Sequence, residues 1–386
     1  MKIDICGGGP AGLYFALLMK KSNSANTITV VEQNPADATY GWGVVFSGRA
    51  LGFMEDGDAD SYADIVRRLE LWDDQTIVHH DQVVRIDGYG FSGLARIDLL
   101  TVLQDHCRRS GVQLHFNTRL TDLSAFDDCD LIVGADGVNS VVRQIYAAHF
   151  QPAVETLTNM YIWYGTTQRF DTLSLTFREN ADGAFVAHHY RYAPHGSTFI
   201  VECDAGAWQR AGFAQMGEEE SRRYCERVFA ADLDGHPLLT NRSNWLNFRA
   251  VTNQHWRHNN VVLLGDTLRT VHFSIGSGTR MALEDAIALH RAFQYHDEVI
   301  PALRAFETAH RPAVEQFLNV ARASYTWYEH FHEKMHLQPL DLAYDYMTRS
   351  GVDAAKLRQR APRFMAAYDA HVGALPTEAN DGSVHV

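Results

Sequence analysis

Lys2-Ile-Asp-Ile-Cys6-Gly7-Gly8-Gly9-Pro10-Ala11-Gly12-Leu13-Tyr14-Phe15-Ala16 combines three signals within fifteen residues. Lys2 to Cys6 reads as a short apolar strand, Gly7 to Gly12 as a glycine turn, and Leu13 to Met19 as a buried helix segment. Thr27 to Val31 returns as a second strand that ends at Glu32. The glycines of Gly7-x-Gly9-x-x-Gly12 permit a tight turn, close approach of a pyrophosphate to the backbone, and close packing of helix on strand. The helix N-terminus then faces the phosphates, and Glu32, twenty positions beyond Gly12, is placed to accept hydrogen bonds from an adenosine ribose. A dinucleotide-binding strand, helix, strand unit is therefore expected.

Two later stretches extend this layer. Asp130-Leu-Ile-Val-Gly-Ala-Asp136-Gly137-Val-Asn139-Ser140 is a buried strand running into a polar turn. Val261-Val-Leu-Leu-Gly265-Asp266 is another strand, which delivers Asp266 to its carboxyl end, where a carboxylate can hold a polyhydroxyl chain. Gly276-Ser277-Gly278 follows and opens a helix, regular from about Met281, whose positive end can stabilise negative charge; Glu284-Asp285-Ala286 lies within it.

These three motifs, in this order and at these separations, resemble the class A FAD-dependent aromatic monooxygenases along essentially the whole chain. The resemblance implies that Gly7, Gly9, Gly12 and Glu32 bind the ADP half of FAD. It further implies that Asp136 and Gly137 serve FAD and NAD(P)H, that Asp266 contacts the ribityl chain, and that Arg96, just before a helix from Ile97 to Cys107, reaches the phosphates or ribityl chain. Gly43 and Val44, with Gly276 and Gly278, complete the implied cofactor set. One departure stands out: the family's frequent Gly-Asp-Ala-Ala-His is Gly265-Asp266-Thr267-Leu268-Arg269 here, and the usual loop proline is His272.

A closer resemblance lies in Tyr40-Gly41-Trp42-Gly43-Val44-Val45-Phe46-Ser47, Tyr161-Ile162-Trp163-Tyr164-Gly165-Thr166, Ser197 to Glu202, and His272 to Thr279. These stretches are similar to salicylyl-CoA 5-hydroxylases, to the flavin domains of anthraniloyl-CoA monooxygenases, and to the violacein-pathway tryptophan hydroxylases. Met347-Thr348-Arg349-Ser350 and Leu357-Arg358 are shared with the CoA-thioester group, so the resemblance favours an aryl-CoA substrate over tryptophan or another free small aromatic. It implies transient visits by NADH or NADPH, reaction with O2, and ring hydroxylation through a flavin C4a-hydroperoxide. Trp42, Trp163, Tyr164 and Phe273 are expected to wall the aromatic pocket, and His189, His272 and Tyr192 are candidates for the base that activates the ring.

The expected fold is α/β. Residues 1–70, 94–150 and 247–300 form a Rossmann-like FAD-binding domain. Residues 71–93 and 151–246 form an interleaved antiparallel substrate sheet, read from alternating sets such as Val186, His188, Tyr190 and Tyr192. Residues 301–373 are expected to be helical, with Pro301 and Pro312 near helix starts, and 374–386 to be a disordered tail.

A net charge of −13 argues against a nucleic-acid surface, and Arg349, Lys356, Arg358, Arg360 and Arg363 are read as a solvated helix face. Five scattered cysteines without a C-x-x-C pair suit a reducing cytosol. No leader or apolar run long enough to span a membrane is visible, so a cytoplasmic location is expected; the oligomeric state is left open. His332-Glu333-Lys334-Met335-His336 fits H-E-x-x-H, the basis of a remote zinc-metallohydrolase alternative, but no third ligand can be assigned, no metal is expected, and a helix face is the simpler reading. His79-His80 and His188-His189 lie in extended stretches, where neighbours point to opposite faces. A flavin-fold binding module and a flavin oxidase are the non-hydroxylating alternatives; a halogenase is disfavoured by the lack of a W-x-W-x-I-P stretch.

Overall fold

Five short parallel strands form the centre of the first layer, in the order Val261–Leu263, Leu131–Gly134, Lys2–Cys6, Thr27–Val31 and Gln113–His115, with Arg257–His258 antiparallel at one edge. The four inner strands are largely buried, as parallel strands covered on both faces are, and read as mostly apolar runs, whereas the edge strand Gln113–His115 is largely exposed. The helix Pro10–Ser22 starts with Pro10 at its first position and packs against the helices Arg96–Ser110 and Gly278–Tyr295. The computed structural model describes residues 1–39, 41–47, 51–126 and 128–374, so Tyr40 and the tail from 375 lie outside the described residues.

The second layer is an eight-stranded, mostly antiparallel sheet. Its order is Leu238–Leu239, Pro152–Thr166, Gly196–Cys203, Gly183–Ala193, Leu173–Asn180, Gln75–His79 and Gln82–Ile86, with Leu246–Asn253 also pairing Pro152–Thr166. Glu70–Trp72 and Phe91–Ala95, which straddle the ends of the 71–93 stretch expected in this sheet, instead form a separate three-stranded sheet with Gly43–Ser47. That small sheet joins the two layers.

Each face of the large sheet has its own apolar cluster. Ile162, Tyr164, Phe185, Phe199 and Val201 face Phe213, Tyr224 and Phe229 of the segment after the sheet. Leu175, Phe177 and Val186 face Trp327, Tyr328, Phe331 and Tyr346 of the C-terminal helices.

Three local expectations are corrected. Pro312 is not at a helix start but inside the 31-residue helix Val299–Glu329. The helix survives the missing N–H because buried Ala302, Leu303 and Phe306 before it, and Val314, Ala321 and Trp327 after it, hold both halves to the protein. His79 and His80 do not diverge. His80 has left the strand with φ of 47°, and the two rings stack at 3.8 Å. His332 lies in a 3-10 turn, Phe331–Lys334, rather than an α-helical turn.

The basic residues near the C-terminus have separate local partners: Arg358 pairs with Asp369, Arg363 with Asp74 and Asp87, and Lys356 with Asp353. Arg349 turns inward over Tyr346. All five cysteines are free and buried, and among the described residues no helix is long and apolar enough to cross a membrane.

Candidate active site

The glycine turn is built for close backbone approach. Gly7 has φ of +106°, and a Cβ on Gly12 would collide with the carbonyl oxygen of Gly7, so the helix can sit this close to the turn only without a side chain there. A Cβ at Gly9, the N-cap of Pro10–Ser22, would meet no atom within 4 Å. Open space therefore lies directly before a helix N-terminus whose N-cap has no side chain to satisfy its amides. Glu32 accepts from the backbone N–H of Gly8 at 2.8 Å and from Asn34 at 2.8 Å (backbone) and 2.7 Å (side chain), which fixes its carboxylate beside the turn.

The second and third motifs meet through Thr267. Its hydroxyl accepts from the Gly137 N–H at 2.7 Å and lies 3.2 Å from Asp136 Oδ1. Asp136 Oδ2 accepts from the N–H of Val141 at 2.6 Å, so this carboxylate is engaged at the start of the helix Val141–Ile145. Arg143, buried, donates to the carbonyl of Thr267 at 3.0 Å.

Arg269, which stands where the wider family has histidine, forms a two-pronged pair with fully buried Asp285 at 2.6 and 2.8 Å. Asp285 also accepts from the Gly265 N–H and contacts His310 Nε2, both at 2.9 Å. Burial alone would raise the Asp285 carboxyl, but Arg269 and His310 bring it below the usual range. An anion so well satisfied anchors the strand end that carries Asp266.

Asp266 itself is free to work. It is exposed by surface area, yet burial among surrounding protein atoms raises its pKa, an effect opposed by Arg96 and Arg269. Both observations hold if the carboxylate lines an internal cleft. Arg96 is half-buried and its pKa is lowered by burial, with Asp266 and Tyr190 opposing the shift. No hydrogen bond engages either charged side chain among the described residues. A cation and an anion in one enclosed cleft, both unpartnered, suit a ligand with phosphates and a polyhydroxyl chain.

Gly43 is clamped to the sheet: its N–H donates to Thr198 Oγ1 at 2.9 Å, its carbonyl accepts from Tyr190 Oη at 2.9 Å, and a Cβ would strike Tyr192. Val44 is buried in the nucleotide-layer core. Gly276, with φ of +58°, lets the loop after Asp266 press against Val45, 2.7 Å from where its Cβ would be. Gly278 begins its helix three residues earlier than expected from sequence. Trp42 lies over Gly165 and Trp163 over Gly41, so the two indoles interlock across paired glycines. Tyr192 packs on Trp42, with ring centroids 6.4 Å apart.

The sheet face turned toward the cleft carries Tyr161, His188 and Glu202, because Tyr161 is paired with Glu202 and His188 with Ile200, two residues before Glu202 on the same face. His188 Nε2 lies 3.1 Å from Glu202 Oε2, and Asn159 Nδ2 donates to Glu202 Oε1 at 2.9 Å. Glu202 is 1% exposed; burial would raise it, but His188, the charge of His272 and Asn159 hold it below the usual carboxylate range. Phe273 packs against Tyr161 at 4.8 Å and edge-on to His188 at 5.2 Å; His272 stacks on Phe273 at 4.2 Å, and Phe248, Tyr325 and Tyr328 enclose His272. Burial pushes the His272 imidazole down to about 4 and the Tyr161 phenol up to about 12, so both are neutral near pH 7.

Two expected site residues belong to the opposite face. His189 bonds Thr176 Oγ1 at 2.9 Å between Phe170 and Phe199, and burial lowers it to about 3; Tyr164 is fully buried in the outer cluster near Ser221. Strand alternation separates them from the cleft. Sequence reading missed the His188–Glu202 pair, although both residues lay within stretches it had marked.

Comparison with known proteins agrees with this geometry. Residues 126–298 match the family described as FAD binding domain. The chain is 38% identical to a salicyloyl-CoA 5-hydroxylase of a Streptomyces species, over 96% of this chain and 73% of the relative. The chain belongs to the FAD-dependent aromatic monooxygenases. Other members of this group are the protodeoxyviolaceinate monooxygenase of Chromobacterium violaceum, 37% identical over 90% of this chain and 94% of that relative, and the 3-hydroxy-4-methyl-anthranilyl-[aryl-carrier protein] 5-monooxygenase of Streptosporangium sibiricum, 36% identical over 91% and 95%. The fold is shared with 2-methyl-3-hydroxypyridine-5-carboxylic acid oxygenase, with a TM-score of 0.69 at 17% identity over 93% of this chain and 95% of that one. As a monooxygenase of this family the protein uses FAD, with NAD(P)H as co-substrate. The open space before Gly9 and the unpartnered Arg96 and Asp266 fit that cofactor.

Proposed function

We propose that this flavoprotein hydroxylates an aromatic ring presented as a CoA thioester, such as salicylyl-CoA or anthraniloyl-CoA. The observation that carries the reading is the alignment, over 96% and 91% of this chain, with two relatives named for rings carried on coenzyme A and on an aryl-carrier protein. The C-terminal stretch Met347 to Ser350 adds support. Arg349 donates to Ser324 Oγ at 3.0 Å, and Ser324 lies 3.0 Å from Ser274 Oγ in the loop beside Phe273, so that stretch braces the pocket wall. A long thioester tail offers remote binding energy that holds a small ring in register with the flavin.

On this reading FAD, which supplies the oxygen-activating chemistry when bound, is held by Gly7, Gly9, Gly12, Glu32, Gly43, Val44, Arg96, Asp136, Gly137, Asp266, Gly276 and Gly278. The sheet keeps water from the reacting ring, which Trp42, Trp163, Tyr161 and Phe273 wall.

The test is to offer salicylyl-CoA, anthraniloyl-CoA and their free acids to the holoenzyme while following NAD(P)H consumption and product mass together. The thioesters should be hydroxylated with tight coupling and the free acids should not. Hydroxylation of tryptophan or another free aromatic, with both thioesters inert, would overturn the thioester reading in favour of a free-aromatic substrate.

A further inference from the structure

Two imidazoles face Glu202, and their hydrogen bonds give them opposite capabilities. His272 Nδ1 accepts from the backbone N–H of Ser274 at 3.3 Å, so in the neutral ring the proton sits on Nε2 and His272 is a donor. His188 is the reverse. Its Nε2 is directed at the Glu202 carboxylate, which can only accept, so Nε2 carries the proton and Nδ1 is left with a lone pair. No hydrogen bond engages His188 Nδ1 or His272 Nε2 among the described residues.

From this geometry we infer that His188, oriented by Glu202, is the base that takes the proton from the ring hydroxyl of the substrate, with His272 donating a hydrogen bond beside it. The inference rests on the aromatic-substrate reading above and does not depend on whether the ring arrives as a thioester. The O–H bond of the ring breaks and an N–H bond forms at Nδ1. The imidazolium so formed is balanced by Glu202, which Asn159 holds from its other oxygen. A buried carboxylate behind an imidazole fixes its tautomer and stabilises its charged form.

The titratable side chains that face the pair among the described residues are consistent with this assignment. His272 from the loop, Tyr161 from the neighbouring strand and Tyr328 from the long helix are all neutral near pH 7, since burial depresses the first and raises the two phenols. Asp266 acts electrostatically on Tyr161, and Arg349 and Tyr346 act on Tyr328. Among the described residues, Glu202 is the one charged group that pairs with His188.

The experiment compares ring-hydroxyl and ring-amino substrates in His188→Gln and Glu202→Gln holoenzymes, with His189→Gln as the control from the opposite face. An amino group donates electrons without losing a proton, so only the hydroxyl substrate needs the base. His188→Gln should lower kcat for the hydroxyl substrate by about 10²- to 10⁴-fold, leave its KM nearly unchanged, and spare the amino substrate. Absorbance of the bound ligand gives a second readout independent of turnover: the apparent pKa of the bound ring hydroxyl should rise in both variants and stay at the wild-type value in His189→Gln. A fluorinated ring with a more acidic hydroxyl should recover much of the lost rate. Equal losses on hydroxyl and amino substrates, or an unchanged ligand pKa, would overturn the assignment. If the thioesters prove inert and a free phenol is the substrate, the thioester reading fails while the same comparison, run with the free phenol and aniline, still decides the base.

Discussion

On one wall of the cleft the recognising surface is largely backbone: amides at a helix N-terminus, glycines that let chain segments touch, and one charged side chain from each of two elements, Arg96 and Asp266. On the other wall it is made of side chains, with Tyr161, His188 and Glu202 standing on alternate positions of three strands. The first wall tolerates little change at Gly7, Gly12, Gly43 and Gly276, where its geometry excludes a Cβ. The second can be rewritten position by position while the sheet stays intact. A shared cofactor and divergent substrates within one family follow from that division.

The strongest way to break the first wall is Gly12→Ala. The new Cβ would meet the Gly7 carbonyl, a backbone atom with nowhere to go, so a cost of about 1–3 kcal/mol in stability is expected together with near-complete loss of FAD. Gly9→Ala is the matched control: with nothing within 4 Å, it should melt like wild type and still bind FAD more weakly, since its methyl occupies the space before the helix. Thermal melts and flavin content read both effects, and equal melting losses in the two variants would contradict the packing account.

Asp266→Ala should have the next largest effect. A lost charge-assisted hydrogen bond costs about 1.5–3 kcal/mol, roughly 10- to 100-fold in FAD affinity, without loss of fold. An unchanged affinity would mean that the cleft shared with Arg96 is not the ribityl site.

Much of the first wall was legible because covalent geometry restricts it. Only glycine fits where a helix touches a turn, and a strand, glycine turn, helix, strand unit with an acid at its end has few other meanings. The second wall was not legible, for a physical reason that can be located. The strands Gly183–Ala193 and Gly196–Cys203 are joined by a two-residue turn at Pro194 and His195, which alone would pair His188 with Val201 and leave Glu202 on the opposite face. A register shift between Arg191 and Ala193 pairs His188 with Ile200 instead and brings Glu202 to the same side. Nothing in the local sequence announces that bulge. His189, marked as a candidate base, belongs to the other face for the same reason of alternation. Arg269 was visible only as a departure from the family pattern; its partner Asp285 lies sixteen positions away and needed the fold to be recognised.

The buried histidines sharpen the contrast through pH. His189 and His272 have folded-state values of about 3 and about 4, below the ordinary 6.5. Between those values and 6.5 the unfolded chain binds more protons than the folded one, so their contribution is complete above 6.5 and is lost as pH falls. At pH 5 each contributes a loss of roughly 2 kcal/mol. Denaturant midpoints should therefore drop between pH 7 and pH 5, and His189→Phe should flatten part of that dependence without altering the coupling of NAD(P)H use to hydroxylation. A slope unchanged in His189→Phe would show that this ring is not held neutral by burial.

The smallest effect is expected from the H-E-x-x-H segment, and it isolates burial as the variable. His330 Nδ1 lies 3.2 Å from Glu333 Oε1, nearly the 3.1 Å of His188 and Glu202, but its side chains are 57% and 64% exposed against 7% and 1%. In water an imidazole–carboxylate pair gains little, competes with solvent hydrogen bonds and is screened by salt. In the sheet the same pair has no solvent to fall back on and is held as a fixed, desolvated pair. His332, exposed in the 3-10 turn beside that surface pair, is not stacked one α-helical turn below His336 as zinc chelation in an H-E-x-x-H helix requires. His332→Ala should leave stability within about 0.5 kcal/mol of wild type and hydroxylation intact, with elemental analysis showing no stoichiometric zinc. A one-to-one zinc content with activity lost on chelation would mean that exposure does not silence this segment, and the distinction drawn between the two His–Glu pairs would fail with it.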